Sequence, residues 1–483
     1  MNYKTLAHYL GLILKIQSAV LLVPSAVSFA CGEPALAVDF IWSAVLCLLA
    51  GFLLGIWGEK NTLLRLRESY LLLALGWFAM SLAGALPYWF SGAVPMFWDA
   101  LFESVSGFTA TGVSIFVHVE NLPRGLLFWR VFSQWVGGLA MLFVLTAMAH
   151  AKWGQGGGRI LRLENSGLGW EGQRRHMGKR LRGFWGIYGG LTAAQAALLL
   201  AGGVPLFDSV LLAMSTAGTG GFSVRDASLA AYGSPYLEGV TAVFMLLCGL
   251  QYSALFLLLA RDFTAVKNNE ELRFCLGLTG VSALLVALNL TGTVYPTFGE
   301  ALRYGGFQTI SVLTTTGFHN ASVEAWPTFS RMLLFLLMLT GSCGGSVGGG
   351  LKLFRVLIMG KEMRRSLLKM MNPRVVAVVK INGRALTMDI LHMTNVFILL
   401  YALVYAVSFL LISAEQVEAA TAAGLVASAL SNVGGGFNIV GTFTGYATLS
   451  AGGKLVLMVD MLLGRLEIYP ILLLLSSRAR RRL

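Results

Sequence analysis

Apolar residues run along this chain in blocks long enough to cross a bilayer, about 20 residues each, parted by polar connections. The blocks are Ala7–Ala30, Val38–Trp57, Tyr70–Phe90, Leu126–Ala149, Phe184–Leu200, Tyr236–Ala260, Phe274–Leu290, Ile390–Ile412 and Leu455–Leu475. One more, Met332–Thr340, stops at Gly341 and resumes at Leu351. The pattern predicts ten spanning helices. Four shorter apolar stretches lie between them: Phe97–Phe108, Phe207–Ala217, Ala301–Leu313 and Val417–Leu430. At 11 to 14 residues they cannot span. They predict re-entrant helices that dip into the membrane and return as extended turns. Such backbone is tolerated at membrane depth only where protein buries it or a watery cavity receives it.

Each short stretch runs into a glycine turn. The turns are Thr109-Ala110-Thr111-Gly112-Val113, Thr219-Gly220-Gly221-Phe222, Thr315-Thr316-Gly317-Phe318 and Asn432-Val433-Gly434-Gly435. Gly112, Gly221, Gly317 and Gly434 are 109, 96 and 117 residues apart. Four such turns at this spacing predict four-fold pseudosymmetry within one chain. Glycine lets backbone carbonyls face a central path, as an ion-selective pore requires. The expected unit is spanning helix, re-entrant pore helix, filter turn, spanning helix. An acid stands near each pore-helix start: Asp99, Asp208, Glu300 and Glu418 or Glu415. These acids are expected to cap the positive helix end, leaving the partially negative C-terminal end aimed at the ion path, which favours a cation.

The fold class is therefore an all-α polytopic membrane protein, with four pseudo-repeats around a central pore and two extra N-terminal helices. The boundaries expected are 1–67 for the extra helices, then 68–150, 151–265, 266–371 and 372–483, the last with the basic tail. The third unit carries an interruption, Gly341-Ser342-Cys343-Gly344-Gly345-Ser346-Val347-Gly348-Gly349-Gly350. Each glycine costs a helix about 1 kcal/mol relative to alanine, so a loop within the membrane is expected. It can act as a gate beside the filter or as a flexible joint. Arg465 lies inside an apolar run, where a charge is costly and marks function. It could repel cations, hydrogen-bond the glycine loop, or lock helices through Glu467. Lys352, just after the loop, reads as a cytoplasmic anchor.

Composition agrees with a membrane protein: 56% of residues are apolar and 12% charged, with a mean hydropathy of +0.72. The net charge of +13 is uneven. With Lys4, the segments 60–67, 152–182, 261–273, 352–384 and 478–482 hold 28 of the 36 Lys and Arg. That is the positive-inside pattern, so these loops and both termini are expected in the cytoplasm. The pattern speaks against nucleic acid as the partner. The five cysteines and six histidines show no disulfide framework, ligand spacing or catalytic cluster. Neither an enzyme nor a resident metal or cofactor is expected.

Gly344-Gly345-Ser346-Val347-Gly348-Gly349-Gly350-Leu351-Lys352, Gly464-Arg465-Leu466-Glu467-Ile468 and Phe307-Gln308-Thr309-Ile310-Ser311 resemble the Trk/Ktr/HKT superfamily of potassium transporters, specifically its bacterial Trk-type (TrkH-like) membrane subunits. The resemblance implies inward K+ conduction across the bacterial inner membrane through the four filter turns. It implies that the 341–350 loop is the gate and that Arg465 lines the pore near it. It further implies a homodimer in membrane lipid, with a cytoplasmic TrkA-like regulatory nucleotide-binding subunit that carries the NAD or ATP. Gly435 stands where Trk-type members often have proline, and Ala110 where threonine is common. Serine at the first filter glycine goes with Na+ transport in plant relatives, so Gly112 argues for K+. The alternative kept open is a Na+- or H+-coupled potassium symporter of the same fold.

Overall fold

The computed structural model describes residues 3–59, 66–150, 177–434 and 446–468. It is almost wholly helical. Helices α1 (Tyr3–Ala30) and α2 (Pro34–Trp57) pack closely along their length. A Cβ on Gly11 would lie 2.7 Å from the Gly51 carbonyl oxygen, and one on Gly51 2.8 Å from that of Gly11. Small residues bring the two backbones together, and α2 leaves Leu49, Phe52, Leu53 and Ile56 exposed, a face suited to lipid.

Four trios follow the expected plan of long helix, short helix and long helix. The first is α3 (Leu66–Phe90), α4 (Phe97–Phe108) and α5 (Arg124–His150). The second is α6 (Met177–Ala201), α7 (Leu206–Gly218) and the pair α8 (Pro235–Gly249) and α9 (Tyr252–Leu259). After the short α10 (Phe263–Lys267) come α11 (Glu270–Leu290), α12 (Phe298–Leu313) and α13 (Thr328–Thr340), then α14 (Leu353–Met371) beyond the glycine loop. A two-stranded antiparallel hairpin, β1 (Lys380–Ile381) and β2 (Arg384–Ala385), precedes a fourth trio: α15 (Met388–Ser413), α16 (Ala419–Ser431) and α17 (Ala451–Arg465).

Seven of these helices are long and apolar enough to cross a membrane, and an eighth span forms if α8 and α9 count as one. Eight of the ten expected spans are matched among the described residues, one of them only as a bent pair, while Met332–Thr340 falls in the 13-residue α13 and Leu455–Leu475 is described only to Ile468. The run from Tyr236 to Ala260 is not one rod, because α8 and α9 meet at an angle of 104°. The last span ends as a helix at Arg465, where Leu466 caps it and Glu467 and Ile468 take left-handed φ values of 60° and 58°. The basic segments 151–176 and 478–482 lie outside the described residues.

The short helices sit in the core. Trp77 Nε1 donates to Phe108 O at 3.2 Å and Trp129 Nε1 to Gly84 O at 3.1 Å, pinning α4 between α3 and α5. These four short helices position the site.

Candidate functional site: a ring of four glycine turns and the loop against it

Each short helix ends in the same local geometry. Ala110, Thr219, Thr315 and Asn432 adopt left-handed φ of 51°, 54°, 58° and 52°. The next residue donates its N–H back into the helix: Thr111 to Ser106 O, Gly220 to Ser215 O, Thr316 to Ser311 O and Val433 to Ser428 O, at 2.9 to 3.1 Å. This satisfies carbonyls that a helix end leaves open. Two residues past the left-handed position come Gly112, Gly221, Gly317 and Gly434, with φ of 79°, 73°, 86° and 100°.

The four turns close on one another. A Cβ on Gly112 would strike the carbonyl oxygen of Gly220; on Gly221, that of Thr316; on Gly317, that of Val433; on Gly434, that of Thr111 at 2.7 Å. Each glycine thus faces the carbonyl of the residue before the next turn's glycine, and the fourth returns to the first. Positive φ and this close approach both exclude a side chain. Carbonyl oxygens brought together in a ring can replace the hydration shell of a monovalent cation, and four partially negative helix ends point the same way.

Side-chain amides and hydroxyls hold the ring. Gln134, on α5, donates to Gly220 O at 2.8 Å and accepts from Ser215 Oγ at 3.0 Å and Phe222 N at 3.4 Å. Asn432 donates to Thr111 Oγ1 at 2.8 Å and Met461 O at 3.0 Å. Ser311 donates to Phe318 O and Ser428 to Gly434 O, both at 2.6 Å. Val113 is buried beside its turn. Gly435 lies outside the described residues.

The glycine loop lies directly against this ring. Every residue from Gly341 to Gly350 is buried. Gly349 N donates to Thr315 Oγ1 at 3.0 Å, and a Cβ on Gly349 would collide with Ser431 O. The loop also repairs the break between α8 and α9. Cys343 N donates to Gly249 O and Gly345 O accepts from Tyr252 N, each at 3.3 Å. Two interrupted helices satisfy each other's orphaned backbone groups, as a low-dielectric interior demands.

Charged side chains complete the loop's coordination. Arg465, 2% exposed, donates through Nη1 to Val347 O at 2.6 Å. Lys352 Nζ donates to Ser346 O at 3.3 Å, and Glu271 Oε1 accepts from Gly344 N at 2.6 Å. Ser342 and Ser346 share a hydrogen bond of 2.8 Å.

A family model described as "TrkH: Cation transport protein" matches residues 39–480. The chain belongs to the TrkH family of cation transport proteins. Among TrkH-family relatives, Trk system potassium uptake protein TrkH of Salmonella typhimurium is 32% identical, over 98% of each chain. Trk system potassium uptake protein TrkG of Escherichia coli is 28% identical over 99% of this chain and 98% of its own. The crystal structure of the potassium transporter TrkH from Vibrio parahaemolyticus matches with a TM-score of 0.89 at 29% identity, covering 100% of both chains. The family resemblance read from the glycine loop and the Arg465 segment is therefore correct. TrkH-family membership makes the chain a multi-pass membrane protein of a cation transport family rather than of an enzyme class.

The structure changes three expectations. Arg465 does not pair with Glu467. Glu467 accepts instead from Arg355 Nη2 at 2.7 Å, and Arg465 grips the loop. Lys352 is no anchor at a surface, being 2% exposed with its ammonium on the loop. Asp99, Asp208 and Glu300 sit in the first turn of their short helices and Glu418 at a cap position, but none of them caps its helix through a side-chain hydrogen bond. Asp99 binds Lys454 Nζ at 2.7 Å, Asp208 binds the Tyr232 hydroxyl at 2.7 Å, and Glu415 accepts from Ser450, which holds its carboxyl below the usual value. Asp99 thus ties α4 to α17, Asp208 ties α7 to the segment after its turn, and Glu415 ties the connection before α16 to the start of α17.

Sequence reasoning missed Gln134, Glu271 and the buried pair of Arg130 with Glu103 at 2.7 Å. For Gln134, Arg130 and Glu103 the available signal was a polar residue inside an apolar stretch; Glu271 stands before the run Phe274–Leu290 and gave none.

Proposed function

We propose that this chain takes up potassium ions across the bacterial inner membrane through a selective pore whose filter is the ring of four glycine turns. The observation that carries the reading is the closure of that ring, in which each glycine faces the next turn's carbonyl and no side chain fits. The relatives' description as potassium uptake proteins supports the choice of ion. The units 68–150, 151–265, 266–371 and 372–483 each contribute one turn. The loop at 341–350 and Arg465 form the gate, because a positively charged group beside the ring holds a buried glycine-rich segment in place. Both termini face the cytoplasm, and a homodimer works with a cytoplasmic regulatory subunit that binds the nucleotide.

The test is K+ uptake in a bacterial strain lacking its own K+ uptake systems, with Na+ and Rb+ as competitors. Restored growth at low K+ and competition by Rb+ over Na+ are expected, and Gly112→Val should abolish both with the protein still in the membrane. Full uptake by valine variants at all four glycines would overturn the filter. Uptake that follows an imposed Na+ or pH gradient would favour the coupled symporter.

A further inference from the structure

We infer that Glu271 is a positioning residue for the gate: its carboxylate latches the glycine loop shut, and helix α14 controls the latch from the cytoplasmic side. This rests on the reading of the 341–350 loop as the gate. Gly344 is in mid-loop, where its N–H has no helical partner. Glu271 Oε1 meets that N–H at 2.6 Å, the length of a charge-assisted bond. Glu271 is 3% exposed and is the second residue of α11. There the free N–H groups of a helix start favour negative charge. Asn269 caps the same helix, accepting from Glu271 N at 3.1 Å and Leu272 N at 3.2 Å, so the carboxylate's backbone is fixed.

The residue before it points elsewhere. Glu270 forms an ion pair with Lys361 of α14, and Lys361 Nζ also donates to Lys380 O at 2.7 Å. Glu270 N donates to Asn382 Oδ1, in the hairpin turn, at 2.8 Å. One helix start therefore binds the loop with one carboxylate and the α14–hairpin unit with the next. The chain itself makes the second connection: the loop runs into α14, and Leu353 N donates to Ser342 O at 3.0 Å. A movement of α14 away from α11 would strain both attachments at once. Arg465 and Lys352 hold loop carbonyls, whereas Glu271 holds an amide. The loop is thus gripped through both kinds of backbone group.

The experiment uses the full chain in proteoliposomes without any added partner. K+ flux is read beside the alkylation rate of Cys343, which is 1% exposed in the loop, in a background with the other four cysteines changed to serine. Glu271→Ala should raise both by about tenfold, the weight of one hydrogen bond to a charged group. Glu271→Gln, which keeps the shape and an acceptor, should give a smaller rise, and Lys361→Met a smaller one still. Glu271→Gln keeps the test informative if the alanine variant does not fold. Arg465→Ala is the reference for the gate. If Arg465→Ala raises flux and neither Glu271 variant does, the latch is wrong and the gate stands. If no variant raises flux, the gate reading falls and the latch with it. A rise in flux with unchanged Cys343 alkylation would overturn the latch, since the leak would then lie elsewhere.

Discussion

The ring of turns and the loop against it are both made of glycine, and they are held in opposite ways. The ring is repeated four times, and neutral groups fix it: Gln134, Asn432, Ser311, Ser428 and the turns' own backbone. The loop occurs once and is held by full charges, Arg465, Lys352 and Glu271. Neutral hydrogen bonds inside protein are modest but need no counter-charge, so they suit a geometry that never changes. A charge that holds a backbone group is stronger and more exposed to a change in its surroundings. On the proposed reading of the loop as a gate, the difference separates a part built to stay from a part built to let go.

The contrast can be broken most severely at the ring. Valine at Gly317 must accept both a positive φ and a collision with Val433 O. These cost several kcal/mol together, so K+ uptake should fall by about a hundredfold or more while membrane insertion persists. Near-normal uptake would mean that the ring has slack. Next comes the pair behind the loop. Arg355→Ala leaves Glu467 buried without its guanidinium, and the detergent-solubilised protein should lose about 3–5 kcal/mol of stability. An unchanged melting temperature would show that Glu467 is neutral in the folded protein.

Arg465→Ala should leave the ring intact and raise partner-free K+ flux by about tenfold, with K+/Rb+ preference unaltered. A change in preference would mean that loop and ring are one device. The smallest effect concerns His319, which follows the third turn. Burial pushes its imidazole down to about 4 from 6.5. A histidine kept neutral by folding contributes stability that is complete above pH 6.5 and declines as pH falls from there toward 4. The melting temperature should therefore drop between pH 7 and pH 5, and His319→Gln should flatten that drop. Equal slopes in both proteins would show that His319 is solvated.

Much of this was legible in the sequence, and the reason is local. The four short helices end where a left-handed residue and a glycine are written into the chain, so Phe97–Phe108 was recovered residue for residue and the others within a few positions. The kink after Gly249 was not legible, because its cause lies in another segment: the orphaned groups of residues 249 and 252 are satisfied by residues 343 and 345. Partner choice was hidden for the same reason. Glu467 stands two positions from Arg465 in sequence, yet the helix has ended between them and turned the carboxylate toward Arg355, 112 positions away. Hydrophobic pattern reports which elements exist; it does not report which distant element completes them.

The closing bond of the ring joins Asn432 to Thr111 across 321 positions of the chain. A ring assembled from four separate subunits can form as soon as four copies meet. Here all four turns lie in one chain, so the fourth is synthesised after the other three. Until then the membrane holds three of the four turns, with the carbonyl of Val433 missing opposite Gly317. Late completion of this kind is slow in chains dominated by distant contacts. If the ring is the proposed filter, late completion also carries an advantage: a half-made molecule has no finished path through which the cell could lose its ions.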